Sequence, residues 1–280
     1  MTEQLRADSV PKAPSTAGDL DAALDAGLLT VAYQPIVSLR TGQVVAAEAL
    51  ARLQDPRTGL LLPPDAFIPL AEATGRIARI DRMVLAQAAP LAAGWRRRLG
   101  SAPFSIGINL SVAGLTAPGL VDYIRDTCSA ANLPPHALTL EITETVLSAD
   151  DGEDGSVLRA IDDLGCRVVM DDFGTGYSSM SHLASFPISG IKIDRRFVWE
   201  LGTRGLGGLV GLALVRLGSD LGIDVVAEGV ETKEQLAALE YADCPSAQGY
   251  LFSRPLPAEQ LTAFLTSHRR AVPLPRAERS

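Results

Sequence analysis

Short apolar, β-branched runs alternate with longer stretches of helical spacing along most of this chain, and that alternation restricts the fold more than any other feature. The runs are Val31–Val37, Val44–Ala47, Phe104–Leu110, Leu138–Ile142, Cys166–Met170, Gly190–Ile193 and Asp224–Ala227. Helical spacing covers Asp65–Ala73, Ile77–Leu99, Leu120–Ala131, Ser156–Leu164, Leu206–Leu221, Glu234–Tyr241 and Ala258–His268. A last, weaker strand is expected near Ala247–Tyr250. Seven or eight strand–helix repeats over about 250 residues predict an α/β chain closed into a (β/α)8 barrel, with a doubly wound open sheet as the alternative. One connection breaks the pattern. Only Ser38–Gln43 joins the first two runs, with Thr41-Gly42 as its turn. Six residues cannot hold a crossover helix, so these strands are expected to pair antiparallel. The expected fold is therefore a modified TIM-like barrel with an antiparallel first strand.

Residues 1–18 are polar and rich in Pro, Ser and Ala, and the last dozen carry two prolines and four arginines. The expected organisation is a flexible tail over 1–18, a barrel over 19–268 and a flexible tail over 269–280. A tail of about 18 residues is expected to leave no room for a sensor or cyclase domain, so regulation is expected through partners, oligomerisation or expression. Against 33 acidic residues stand 25 Lys and Arg, a formal charge of −8. That balance argues against binding a nucleic-acid polymer or an anionic membrane through a basic face. It leaves room for an anionic small molecule bridged by cations. Cys128, Cys166 and Cys244 stand far apart without a C-x-x-C pair. No secretory segment is visible and no apolar run is long enough to insert in a bilayer, so a reducing, cytoplasmic setting is expected.

In a barrel of this kind, chemistry sits at the C-terminal ends of the strands. Here those ends carry Glu48, Asn109, Glu141 with Glu144 close behind, Asp171-Asp172, Lys192 with Asp194, Glu228 with Glu231, and Gln248. Taken singly, each residue has an ordinary reading as a turn, a helix start or a solvated face. Together they place oxygen ligands on six or seven successive strands. So many carboxylates on one rim repel each other unless cations join them. An oxygen-only set without His or Cys favours Mg²⁺, Mn²⁺ or Ca²⁺. The adjacent pair Asp171-Asp172 is a natural bridge between two ions, an arrangement suited to in-line displacement at phosphate. Lys192 is the one cation in the set, able to orient a water or neutralise developing charge.

These segments resemble the EAL-domain cyclic di-GMP phosphodiesterases. The matching stretches are Tyr33-Gln34-Pro35-Ile36, Glu48-Ala49-Leu50 with Arg52, Pro69-Leu70-Ala71-Glu72 and Ile108-Asn109-Leu110-Ser111. They continue with Leu140-Glu141-Ile142-Thr143-Glu144, Asp171-Asp172-Phe173-Gly174-Thr175-Gly176-Tyr177-Ser178-Ser179 and Ile191-Lys192-Ile193-Asp194. Val226–Thr232 and Gln248–Pro255 close the series, in family order over about Leu20 to Leu265. Two departures, Leu53 after Arg52 and Met180-Ser181-His182 after the serines, remove no ligand.

The resemblance implies hydrolysis of 3′,5′-cyclic di-GMP to linear pGpG with two Mg²⁺ or Mn²⁺ ions, Ca²⁺ being inhibitory. It implies a first metal held by Glu48, Asn109, Glu141 and Asp171, and a second by Asp171 and Asp172, with Glu228 beside them. Lys192 would contact the nucleophilic water. Gln34, Leu50, Arg52, Glu231, Gln248 and Tyr250 would contact substrate or complete the site, and Glu144 would brace the loop after Asp172. The Phe173–Ser185 loop reads either as a device coupling the second metal to dimer contacts or as a plain flexible loop. A homodimer is expected. The alternatives from other classes are a non-hydrolytic cyclic di-GMP receptor and a protein-interaction module.

Overall fold

The computed structural model describes residues 11–150, 156–174, 183, 185–201 and 205–267, with 148–150 described by backbone only. Its sheet contains β1 (Leu29–Ser38), β2 (Val44–Gln54), β3 (Leu61–Leu62), β4 (Ser105–Asn109) and β5 (Leu138–Ile142). It continues with β6 (Arg167–Phe173), β7 (Gly190–Ile193), β8 (Asp224–Ala227) and β9 (Ser246–Ala247). The order is β1-β9-β8-β7-β6-β5-β4-β2, and β1–β2 pairing closes the ring. The short β3 extends the free end of β2. β1 runs antiparallel to both β2 and β9, while the other barrel pairs are parallel. The closed barrel replaces the open-sheet alternative, and the antiparallel first strand follows from the short Ser38–Gln43 link. Gly42, at φ 70°, supplies the left-handed turn there.

The parallel strands are buried on both faces, which is why they read as apolar runs. Outward Leu138, Leu140 and Ile142 on β5 and Ile191 and Ile193 on β7 belong to the apolar core. Inward positions carry Thr139, Glu141 and Lys192, all buried. Helix α1 (Ala17–Asp25) begins inside the stretch read as tail, opened by a capping box on Thr16 and Asp19. After α2 (Ile68–Ala73), helix α3 (Ile77–Leu99) buries Ile80, Val84, Ala88, Ala92 and Trp95 along one stripe. Trp95 meets Tyr33 and Phe104 edge-on, with ring centroids 5.0 and 5.9 Å away. Its indole N–H donates to Thr262 in α11 (Ala258–Ser267). Helices α4 (Val112–Leu115), α5 (Leu120–Ala131), α6 (Glu144–Asp150), α7 (Ser156–Asp163), α8 (Arg195–Trp199), α9 (Leu206–Leu221) and α10 (Lys233–Tyr241) complete the outer layer. Among the described residues, no helix is long and apolar enough to cross a membrane.

Several boundaries differ from the sequence reading. β2 does not stop at Ala47: it runs seven residues further because its second half pairs with Leu29–Ala32 of β1. Glu48 is therefore mid-strand. The stretch Asp65–Ala73 breaks at Phe67 into a 3-10 turn and α2, the latter with Pro69 in its first turn. The last strand is only Ser246–Ala247, leaving Gln248 just beyond it. Helices α4, α6 and α8 are too short to carry a periodic pattern. Most of the Phe173–Ser185 loop lies outside the described residues.

Candidate active site

The cluster is assembled by register. Asn109 pairs with Glu141 across β4 and β5, and Gln34 pairs with Glu48 across β1 and β2. On β7, Lys192 takes the inward position at the centre of the ring. Its Nζ lies 2.7 Å from Glu228 Oε1, 2.8 Å from Glu141 Oε2, 3.2 Å from Glu48 Oε2 and 3.3 Å from Asp171 Oδ1. The Asn109 amide donates to Glu48 Oε1 at 2.8 Å. Gln248 Nε2 donates to both Glu48 Oε2 and Glu228 Oε1, each at 2.8 Å.

The Asp171-Asp172 pair needs a special backbone. Neighbours on a regular strand point to opposite faces. Here the β6–β7 register shifts between Met170 and Phe173, and Asp172 adopts a left-handed φ of 51°. The bulge turns both carboxylates toward the mouth. Glu48, Glu141 and Asp171 form one group with oxygens within 4.8 Å of each other, and Asp171, Asp172 and Glu228 form a second. Asp171 is common to both.

One buried ammonium faces four carboxylates, and the ionisation equilibria record the imbalance. Burial, aided by Glu48 and Asp171, pushes Glu141 well above the usual carboxylate range despite Lys192. Burial also raises Glu228, to about 8. For Glu48 burial acts upward too, but Lys192 and the amides of Gln248 and Asn109 outweigh it and hold the carboxyl low. Asp172 is raised to about 6 by burial, then by Asp171 and by its bond with Asp194. Burial opposes the charge on Lys192, yet the surrounding carboxylates hold its proton firmly. The residues fit divalent cations on two counts. The donors are oxygen atoms in excess of the local positive charge, and the buried Oε1 of Gln248 has no hydrogen-bond partner among the described residues.

Glu48, Leu50 and Arg52 share one face of β2, pairing in register with Gln34, Ala32 and Thr30. At about 3.3 Å per residue, Arg52 stands roughly 13 Å beyond Glu48, above the mouth. Gln34 is buried and donates to the Ser253 carbonyl at 3.2 Å. Tyr250 is half exposed beneath Arg254, whose guanidinium carbon lies 4.2 Å from the ring centre. Glu231 and Glu144 lie outside the ion pairs around Lys192. Glu231 is exposed, its backbone N–H tied to Gln235 in the cap of α10. Glu144 opens α6, and the loop it was expected to brace lies largely outside the described residues. Two further residues lie near the cluster. Asp194 bonds Asp172 and is itself held low, burial notwithstanding, by Arg196. The sequence reading marked it together with Lys192 at the mouth end of the same run, and the structure places it just past β7 as the N-cap of α8. Arg254 had no signal beyond its motif.

A cavity of about 1310 Å³ opens at the opposite end of the barrel, near Ser105, Arg167 and Asp224 at the starts of their strands. Small inward residues, Ala46, Gly107 and Ser246 among them, leave it unfilled up to Glu141 and Lys192. The carboxylate mouth, not this cavity, carries the ligand chemistry.

The mouth and the barrel together define a class. The EAL domain family model matches residues 17–255, and the chain belongs to that family. It is 40% identical over 248 residues to the oxygen sensor protein DosP of Escherichia coli, covering 89% of this chain and 31% of that protein. It is 40% identical over 245 residues to the bifunctional diguanylate cyclase/cyclic di-GMP phosphodiesterase MucR of Pseudomonas aeruginosa, covering 88% and 36%. The structure of the PaMucR phosphodiesterase in complex with c-di-GMP superposes with a TM-score of 0.81 at 40% identity, over 87% of this chain and 98% of that one. The chain thus spans about a third of the length of these two curated relatives.

Proposed function

We propose that this chain hydrolyses one phosphodiester bond of 3′,5′-cyclic di-GMP, giving linear pGpG, with two Mg²⁺ or Mn²⁺ ions. The observation that carries the reading is the pair of carboxylate groups sharing Asp171 around a buried lysine. The likeness to a phosphodiesterase solved with c-di-GMP supports it. Glu48, Asn109, Glu141 and Asp171 would hold one ion, and Asp171, Asp172 and Glu228 the other. Bound there, such ions acidify water and offset charge on the phosphate. Lys192 Nζ, fixed among the carboxylates, is suited to hold the attacking water's oxygen and to stabilise charge developing at phosphorus. Gln248 ties Glu48 to Glu228 and so fixes the spacing of the two groups. Arg52, above the mouth, suits a phosphate oxygen, and the Tyr250–Arg254 stack offers a planar surface to a base. Leu50 and Gln34 would line the same approach, with Glu231 at its edge. Glu144 would brace the loop that follows Asp172.

The same reading places the protein in the cytoplasm, consistent with three free thiols. It includes a homodimer, for which Leu206, Leu209 and Val210 on α9 offer exposed apolar surface. Incubation with cyclic di-GMP and Mn²⁺, with and without EDTA, tests the activity. EDTA-sensitive formation of pGpG is expected, and Ca²⁺ alone should not support turnover. Tight binding without product would make the chain a receptor, and no binding would leave an interaction module.

A further inference from the structure

Asn109 takes the last position of β4, where the strand ladder stops holding the chain. Its Nδ2 donates to Glu48 Oε1 at 2.8 Å, so the carbonyl oxygen is the atom this side chain can offer a cation. Leu110 N–H still donates to the Glu141 carbonyl at 2.9 Å. Ser111, the next residue, is held from outside the barrel by Asp81 on α3. One carboxylate oxygen, Oδ2, accepts both the Ser111 backbone N–H at 3.0 Å and its hydroxyl at 2.6 Å. The same hydroxyl accepts the Gly114 N–H at 2.9 Å and caps α4, which at four residues is too short to stand unsupported. A methyl group at Gly114 would overlap Asp81 Oδ2, so that glycine leaves the carboxylate its place. Asp81 is buried, and among the described residues no Lys or Arg pairs with it. Burying a carboxylate without a counter-ion costs stability, and costs of that kind are carried where a site needs them.

We propose that Asp81 is a positioning residue for metal binding at the mouth: through Ser111 it fixes the chain just past β4, and with it the carbonyl oxygen of Asn109. The inference rests on the proposed reading of the mouth as a two-cation site. The Asp81 bonds run to Ser111 and not to the Lys192 cluster, so Asp81 affects a cation only by where it holds Asn109. Without Asp81, the Ser111 N–H and hydroxyl lose their acceptor. The segment 109–111 is then tied on the β5 side alone, through Leu110. A group that orients a metal ligand from behind is worth about 10–100-fold in metal affinity.

Titration of Mn²⁺ into the substrate-free protein, with free Mn²⁺ read by its EPR signal, tests this. Asn109→Ala, which removes the ligand itself, is the reference and should weaken binding. Asp81→Leu should weaken it as well, by about 10-fold. Asp81→Asn keeps an acceptor oxygen for Ser111 and should bind Mn²⁺ as the parent does. At saturating Mn²⁺, Asp81→Leu should recover most of its kcat on cyclic di-GMP with KM unchanged. A carboxylate that only supported the fold would lower the urea midpoint and leave the Mn²⁺ affinity of the folded protein at the parental value. Parental affinity in Asp81→Leu, beside weakened binding in Asn109→Ala, overturns the inference and leaves the two-cation reading standing. Parental affinity in Asn109→Ala overturns the assignment of Asn109 and the inference together. Where Asp81→Leu does not fold, Ser111→Ala removes the hydroxyl alone and carries the same test. Weakened Mn²⁺ binding there supports the inference, and parental affinity overturns it.

Discussion

Gly249 gives the sharpest test of how the mouth is built. It sits between Gln248 and Tyr250, with φ at 158°. A methyl group there would lie 2.1 Å from the Val230 oxygen, 2.2 Å from its nitrogen and 2.7 Å from its carbonyl carbon. These are backbone atoms, so no side-chain rotation relieves the clash. The two segments are also stitched together: Val230 N–H donates to Gln248 O at 3.1 Å, and Leu251 N–H to Val230 O at 2.9 Å. Opening the closest contact from 2.1 Å to the 3.0 Å floor for real Cβ contacts needs about 0.9 Å of separation. Gln248, the adjacent residue, would move with it, losing one or both of its 2.8 Å bonds to Glu48 and Glu228. A misplacement of about 1 Å at reacting groups costs about 100-fold, or about 2.7 kcal/mol of transition-state stabilisation. Overpacking adds a stability loss of about 1–3 kcal/mol. Gly249→Ala should therefore lower both kcat/KM on cyclic di-GMP with Mn²⁺ and the urea midpoint. Gly94→Ala is the control, since its nearest atom would be Arg97 Nη2 at 3.9 Å, and in α3 alanine should be neutral or slightly stabilising. A Gly249→Ala protein with native midpoint and kcat/KM within about threefold of the parent would refute the reasoning.

Glu48→Ala removes an acceptor for Asn109, Gln248 and Lys192 together, and turnover should be lost; an unchanged kcat would remove Glu48 from the site. Lys192→Met leaves four carboxylates without their cation, and in EDTA the protein should lose about 3–5 kcal/mol of stability by urea titration, partly regained with Mn²⁺. An unaltered midpoint in EDTA would contradict the charge balance described above. Asp81, buried in α3, accepts the backbone N–H and the hydroxyl of Ser111, and burial lifts its pKa from 3.8 to about 6. The folded state thus holds this proton more tightly than the unfolded chain. Its stabilising contribution is full below about pH 3.8 and lost as pH rises through 6. Asp81→Asn, which has no charge to desolvate, should be more stable than the parent by about 1–3 kcal/mol at pH 8 and converge with it near pH 4. Equal stability at both pH values would show that Asp81 is not desolvated.

Periodicity and chemistry carried much of this protein into view before any coordinate. A six-residue link cannot cross over a sheet, so the antiparallel first strand followed from chain length alone. Apolar runs on doubly buried strands, each followed by a carboxylate, amide or lysine, put the site at one end of a barrel. Local spacing was blind to whatever depends on partners distant in the chain. β2 outruns its own apolar pattern because β1 pairs with it, and Glu48 sits mid-strand for that reason. Asp171 and Asp172 face the same way only because a register shift against β7 and a left-handed backbone undo the strand's alternation. Asp194 joins Asp172 through packing that no window of neighbouring residues contains. The sequence by itself determined the candidate ligands and the longer elements, because composition and period are local properties. Tertiary structure alone decided that four carboxylates share one lysine, since that depends on closing eight strands into a ring.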